Sequence, residues 1–377
     1  MKKRVTLAQV AKRSGYSPTT VSLVLADRPG TRIAEATAEK IRATAAEMGY
    51  SADPRARSLR TGRSETLGFI SDEVTITRYA SAMIAGAVNQ AQADGRVVLV
   101  SESAGHAESR DEALADLLNR RVDGLLVGLM AARRIELPPS AKSVPAIIVN
   151  GSSEGLASVL PDEFAAGRDA AQYLIDRGHT RIGLIGRHED LLDPSRSVSI
   201  GRRFAGLDDA MAQASLSFVA EQHVRDWDPA PGRIAALELL RTTELTAVVT
   251  ANDRLAFGVY QAATELGLSV PKDLSIMSFD DEQLAEYLNL TTMRLPYEEM
   301  GRFAANWVGE QVSARHKASE PNDEDEDEDE GEGEGEPGAN SAGDGRASAK
   351  ANPEADPEFL IPMPLVERGS VANLHTR

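Results

Sequence analysis

Between residues 66 and 280 short apolar runs rich in β-branched residues recur, each separated from the next by a longer stretch of helical periodicity, and this alternation restricts the fold more than any other feature. The runs are Thr66–Ile70, Val97–Val100, Leu125–Leu129, Ala146–Val149, Ile182–Ile185, Ala247–Thr250 and Ser275–Phe279. They are continuously apolar, not alternating, as strands covered on both faces are. The intervening segments, such as 107–121 with Ala113, Leu114, Leu117 and Leu118 on one face, and 163–177, read as helices. Strand and helix repeated in this way specify parallel sheets flanked by helices. Seven or more strands allow one sheet or two, and the long connection 186–201 points to irregular structure at a functional edge. Two lobes with a cleft between them are the favoured arrangement.

The 377 residues give room for further domains on either side of this block. The net charge of -17 hides a division. Residues 1–63 hold 13 Lys and Arg against 5 Asp and Glu, whereas residues 318–356 hold 2 against 15. A basic head of this kind can neutralise phosphates while the acidic body is repelled from them. The acidic stretch contains no apolar side chain larger than alanine, which predicts disorder. The apolar segment 359–366 beyond it reads as a final strand, making the stretch an insertion and not a tail. No apolar run is long enough for a membrane span, no apolar segment follows the basic N-terminus as in a signal peptide, and cysteine is absent; these features suit the cytoplasm.

Within the head, Thr6 and Gln9 have the spacing of a capping box, and Gly15 closes the helix they open. Ser17 can cap a second helix with Pro18 at its first position, and Val21, Val24 and Leu25 turn inward. Ile33, Thr37, Ile41, Ala45 and Met48 mark a third. A helix, a glycine turn and a second helix that presents Ser17, Pro18, Thr19, Thr20, Ser22 and Leu23 fit a helix-turn-helix, although small three-helix domains also serve as protein contacts. Residues 53–63 carry four arginines around Leu59, which fits either a short helix that folds in a minor groove or a plain basic linker.

These motifs together resemble the lac repressor/gal repressor family of bacterial transcription regulators. The head and hinge carry Val5–Ala11, Gly15 through Ser22, Met48–Tyr50 and Ala56–Leu59. The body carries Val159–Asp162 with Gly167, Gly178–Ile182, Arg203–Gly206, Ala251–Asp253, Phe279–Asp281 and Thr291–Thr292. The resemblance implies an α/β fold: an N-terminal three-helix helix-turn-helix head over 1–50, a hinge helix or linker over 51–64, and a two-lobed parallel-sheet core of the periplasmic-binding-protein-like type over 65–377. The first lobe is expected at about 65–162 and 291–317, the second at about 163–290 and 357–370, with 318–356 inserted.

It further implies a homodimer that binds near-palindromic double-stranded operator DNA and a small-molecule effector, a sugar or sugar derivative. Pro18, Thr19 and Leu23 would face bases, and Thr6, Ser17, Thr20 and Ser22 would hold phosphates. Leu59, with Ala56 and Arg57, would enter the minor groove. Arg203, Asn252 and Asp280, at strand ends facing the cleft, would hold the effector, with Trp227 stacking on it and Asp72 and Glu73 contributing from the other lobe. For Trp227 core packing remains the alternative; Asp253 fits a helix cap, and Asp162 a structural acceptor. The head departs from the family pattern at Ala26, at Ala34 where a serine cap is usual, and at Ala52–Asp53.

A solute-binding protein with the same lobes is the competing reading, and the basic head argues against it. Enzyme chemistry has no support: no dinucleotide or P-loop glycine motif opens a helix, and no nucleophile elbow occurs. No catalytic residue, metal or cofactor is expected.

Overall fold

The computed structural model describes residues 5–25, 33–50, 62–77, 80–319 and 356–376. The chain divides into two compact units, Met1–Glu65 and Thr66–Arg377. Within the first, α1 (Leu7–Ser14), α2 (Pro18–Leu25) and α3 (Glu35–Glu47) enclose Val10, Val21, Val24 and Ile41. The capping box forms as its spacing requires, with Thr6 and Gln9 bonding to each other's backbone N–H, and Gly15 adopts the left-handed conformation that ends α1. Ser17 Oγ accepts from Thr20 N at 3.1 Å at the start of α2. Ala34 precedes α3 with no side-chain cap, the consequence of having alanine there. The expected hinge, with Ala56, Arg57 and Leu59, falls outside the described residues, as do Ala26, Ala52–Asp53 and residues 320–355 of the acidic insertion.

The second unit holds two six-stranded sheets. The first lobe contains β1 (Thr66–Asp72), α4 (Ser81–Ala93), β2 (Val97–Glu102), α5 (Ala107–Asn119), β3 (Gly124–Leu129), β4 (Ala146–Val149) and β5 (Ala157–Pro161). The second contains α6 (Glu163–Ile175), β6 (Ile182–Arg187), α7 (Ile200–Gln213), β7 (Ala220–His223), α8 (Pro229–Thr242), β8 (Ala247–Thr250), α9 (Asp253–Glu265), β9 (Ser275–Asp280), α10 (Gln283–Tyr287) and β10 (Thr291–Arg294). The chain then returns to the first lobe with α11 (Tyr297–Ser319) and β11 (Glu358–Ile361), and crosses once more to β12 (Leu365–Val366).

Strand order is β11-β5-β4-β3-β1-β2 in the first sheet and β12-β10-β9-β8-β6-β7 in the second. All pairs are parallel except β10 with β12.

Two boundaries differ from the sequence expectation. The sequence places residues 291–294 in the first lobe, but Thr291 pairs with Met277 in the second sheet, where Thr291 and Thr292 are completely buried. The segment 357–370 is expected whole in the second lobe, with 359–366 as its one strand. Instead Phe359 pairs with Val159 in the first sheet and lies 4.8 Å from the Phe303 ring of α11, so only the part from β12 onward belongs to the second lobe. Val97 and Val100, read as buried on both faces, lie on the edge strand β2 and are 59% and 43% exposed.

Candidate functional site

Asn252 follows the end of β8 and Asp280 ends β9, and α7 places Arg203 beside them, at the carboxyl ends of a parallel sheet where ligands of such folds bind. Between the lobes lies a cavity of about 480 Å3. Its second-lobe wall includes Arg203, Trp227, Asn252 and Asp280; the first lobe supplies Thr77, Ala131, Ala132 and Asn150; Tyr297 lines it from the start of α11. Four of the six residues expected to hold an effector therefore converge on one cavity.

Arg203 is the largest fully buried side chain among the described residues. Its Nε and Nη2 donate to both oxygens of Glu163, at 2.6 and 2.7 Å, and Nη1 donates to the Ala251 carbonyl. Asp280 Oδ1 lies 3.7 Å from Nη2. Helices α6 and α7 come close enough for this pairing because a Cβ at Gly167 or Gly206 would collide with the other helix's backbone, at Arg203 and Phe164 respectively. Burial pushes the Asp280 carboxyl well above the usual range; Arg203 opposes the shift and Asp253 adds to it. Asp280 also holds a φ of 109°, an uncommon conformation for a residue with a Cβ, at the point where the strand turns into the cleft.

Trp227 donates its Nε1–H to the Gly186 carbonyl at 2.9 Å, which fixes the indole, and its ring centre lies 5.9 Å from the Arg203 guanidinium. Asn252 is committed at both ends: Oδ1 caps α9 by accepting from Leu255 N at 2.9 Å, and Nδ2 donates to the Trp227 carbonyl at 3.3 Å. The cap that the sequence assigns to Asp253 thus belongs to Asn252. Asp253 instead is buried, accepting from Thr292 Oγ1 at 2.9 Å and Glu282 N at 2.8 Å. Asp162 caps α6 through Ala165 N, the structural role left open for it.

Asp72 and Glu73 do not reach the cavity. The Asp72 carboxylate is buried against Arg133 at 2.8 Å and Arg110 at 3.4 Å, and Glu73 turns away at a φ of 65° with its N–H tied to Glu102 at 2.9 Å. Position at a strand end does not fix side-chain direction, and the buried Arg110 and half-buried Arg133 capture Asp72. Sequence reasoning missed Glu163, Tyr297 and Asn150. Glu163 stands 40 residues from Arg203, a separation at which no local spacing signals a pair; Asn150 is held by the Leu129 and Met130 carbonyls.

The irregular 186–201 connection forms part of the cavity wall. From it the Pro194 carbonyl accepts from Arg134 N at 2.9 Å, and Val198 N donates to the Ala132 carbonyl at 2.6 Å, joining the lobes over the cleft. A larger hollow of about 640 Å3 beside Arg187 and Phe204 lies in the second lobe alone. None of the expected effector residues lines it, and Arg187 is already held by Asp208 and Glu221, so the cleft is the better candidate.

In the head, Thr6, Ser17, Pro18 and Thr19 are exposed and Thr20, Ser22 and Leu23 partly so, with Val21 and Val24 turned into the core. Such a helix, with its amino-terminal residues outward, can enter a major groove. Among the described residues no group of three His, Cys, Asp or Glu could hold a metal, and no helix is long and apolar enough to cross a membrane.

Known proteins carry both parts. Residues 6–53 match the lacI family of bacterial regulatory proteins, and residues 171–326 match a periplasmic binding protein-like domain. The HTH-type transcriptional repressor PurR of Erwinia tasmaniensis is 31% identical over 326 residues, 84% of this chain and 92% of that protein. The chain belongs to the lacI family. It is a DNA-binding transcriptional regulator and not an enzyme.

The ribose operon repressor of Escherichia coli strain K12 is 30% identical over 317 residues, covering 82% of this lacI-family chain and 93% of the relative. Among solved structures, the lac repressor dimer bound to operator and an anti-inducer superposes with a TM-score of 0.69 at 23% identity, covering 98% of this chain and all of that one. A putative lacI-family regulator from Rhizobium etli gives 0.63 at 27% identity, covering 82% of this chain and all of that one.

Proposed function

We propose that this regulator is a cytoplasmic repressor that binds a near-palindromic operator as a homodimer and changes its grip when a sugar or sugar derivative enters the cleft. The observation that carries the reading is the convergence of Trp227, Asp280, Asn252 and Arg203 on one interlobe cavity whose other wall sets Thr77 and Asn150 among Ala80, Met130, Ala131 and Ala132. An indole face beside directed hydrogen-bonding groups suits a pyranose or furanose, which presents C–H on its faces and hydroxyls at its edge. The ribose operon repressor among the relatives supports the same effector class.

In the head, Pro18, Thr19 and Leu23 read bases, while Thr6, Ser17, Thr20 and Ser22 hold phosphates. Ala56, Arg57 and Leu59 enter the central minor groove, where the pair of hinge segments folds. Effector binding alters the spacing of the lobes, and linkage requires operator to change effector affinity by the same factor.

The test titrates a fluorescent palindromic operator library with the full-length protein at fixed salt, with and without a panel of sugars. Sequence-selective binding altered by one sugar is the expected result. No selectivity at any salt would sink the repressor reading; selectivity that no sugar alters would sink the effector class. Leu59→Ala, expected to weaken operator binding, separates the hinge contribution, and unchanged affinity would remove it.

A further inference from the structure

The cleft contains one deeply buried cation among the described residues, and its charge is already balanced by a buried carboxylate. Arg203 and Glu163 are each 1% exposed, and their two parallel hydrogen bonds use both Nε and Nη2, leaving Nη1 to the Ala251 carbonyl. Asp280 stands at the open side of the same guanidinium. Two carboxyl groups thus attend one arginine, so the cluster is neutral when Asp280 holds a proton and negative when it does not. Glu282 adds a further carboxylate to the cavity wall, and Arg254 there is paired with Asp228. Tyr297 registers the same field: burial, then Asp280 and Glu163, push its phenol upward. Arg196 reaches the cavity from an exposed position, where solvent screening makes attraction for an anion weak.

We propose that Glu163 sets the charge selectivity of the effector site: by holding Arg203 in a buried bidentate pair it turns that cation into a neutral scaffold, so the cleft admits an uncharged polyol and rejects carboxylated or phosphorylated ones. The proposal rests on the sugar reading for its ligand class and refines it. A carboxylate entering here would meet a guanidinium whose charge Glu163 already balances and would face Asp280 and Glu282 in the same wall. A neutral sugar can donate hydroxyls to those same carboxyl oxygens.

The chain has two tryptophans, so Trp307→Phe leaves Trp227, beside Arg203, as the sole indole reporter. In this full-length background, fluorescence titrations compare D-ribose, D-galactose and D-glucose with their aldonic acids, their phosphates and inorganic phosphate. The parent is expected to ignore inorganic phosphate and to bind any neutral sugar it accepts at least about tenfold tighter than the matching acid or phosphate. Glu163→Gln, which loosens the hold on Arg203, is expected to gain at least about tenfold in affinity for inorganic phosphate, and adding Arg203→Met is expected to abolish the gain.

A parent that binds inorganic phosphate as tightly as Glu163→Gln, or a gain that survives loss of Arg203, overturns the proposal. A phosphate gain with no response to any neutral sugar supports charge gating and sinks the sugar reading alone. If Glu163→Gln does not fold, the parent decides: preference for neutral ligands with no phosphate response supports the proposal, and an anion bound as well as its neutral partner or a phosphate response overturns it.

Discussion

The two lobes are built on the same plan and divide the work unequally. Each is a six-stranded sheet whose flanking helices pack through glycines: Gly86 and Gly301 join α4 to α11 in the first lobe, Gly167 and Gly206 join α6 to α7 in the second, and a Cβ at any of them would strike the opposing backbone. Each lobe also buries a carboxylate against arginine near its strand ends. In the first, Asp72 is shared by Arg110 and Arg133 and lies off the cavity; in the second, Glu163 and Arg203 form part of the cavity wall. The same element of construction is therefore framework in one lobe and binding surface in the other.

The largest expected difference follows from how many partners each buried charge has. Arg203→Met leaves Glu163 buried without its bidentate partner, a loss of about 3–5 kcal/mol. Arg110→Met still leaves Asp72 with Arg133 at 2.8 Å, so the cost is about 1–3 kcal/mol. Replacing Glu163 and Arg203 together by methionine is expected to recover most of the first loss. Denaturant unfolding of the three variants measures this, and equal losses for the two single variants would break the contrast between a paired and a shared carboxylate.

A smaller effect separates framework from function. Gly301→Ala drives a methyl into the Met83 carbonyl region and Gly167→Ala into that of Arg203, each at about 1–3 kcal/mol. The first is expected to lower stability and leave the effector response intact. The second is expected to shift Arg203 and weaken the response as well, and if both variants respond to effector as the parent does, helix spacing in the second lobe does not set the site.

Much of this division was legible in the sequence, though not all of it. The head could be read residue by residue because its signals are local: Thr6 with Gln9, Gly15, and Ser17 before Pro18 act within one turn. All seven apolar runs became strands, because β-branched apolar runs of this length declare themselves by composition, even in the exposed edge strand β2. The strands that escaped, β5, β7, β10 and the division of 357–370, are short or carry polar residues: Thr291 and Thr292 are buried without being apolar. Arg203, Trp227, Asn252 and Asp280 all line the cleft, but Arg203's occupancy by Glu163 depends on contact across 40 residues. Asp72 and Glu73 failed for the same reason: tertiary partners, not chain position, orient a side chain.

The subtlest contrast between the lobes lies in two carboxyl groups shifted in opposite directions. In the first lobe burial works against ionisation of Glu102, yet donation from Ser71 and Thr75 hydroxyls and from Ala104 and Glu73 N–H groups brings it down to about 2. In the second lobe burial pushes Asp253 up to about 7, against donation from Thr292 and Glu282. An acid with a lowered native pKa contributes stability that is present above the unfolded value and lost as pH falls towards 2. One with a raised native pKa keeps its proton where the unfolded chain has released it, so its contribution declines as pH rises from about 4 to 7 and is then constant. Glu102→Gln is therefore expected to flatten the acid limb of a stability profile below about pH 4.5, and Asp253→Asn to flatten the fall between about pH 4 and 7. Asparagine keeps an acceptor for Thr292 and gives up the one facing Glu282 N–H, so absolute stability drops slightly while the slope is the diagnostic quantity. Denaturant midpoints across that pH range for the parent and both variants decide the matter. A fall between pH 4 and 7 that persists in Asp253→Asn would assign the dependence to Asp280 and Glu282, which are also pushed upward by burial, and would place the lobe's titrating centre at the cleft instead of behind it.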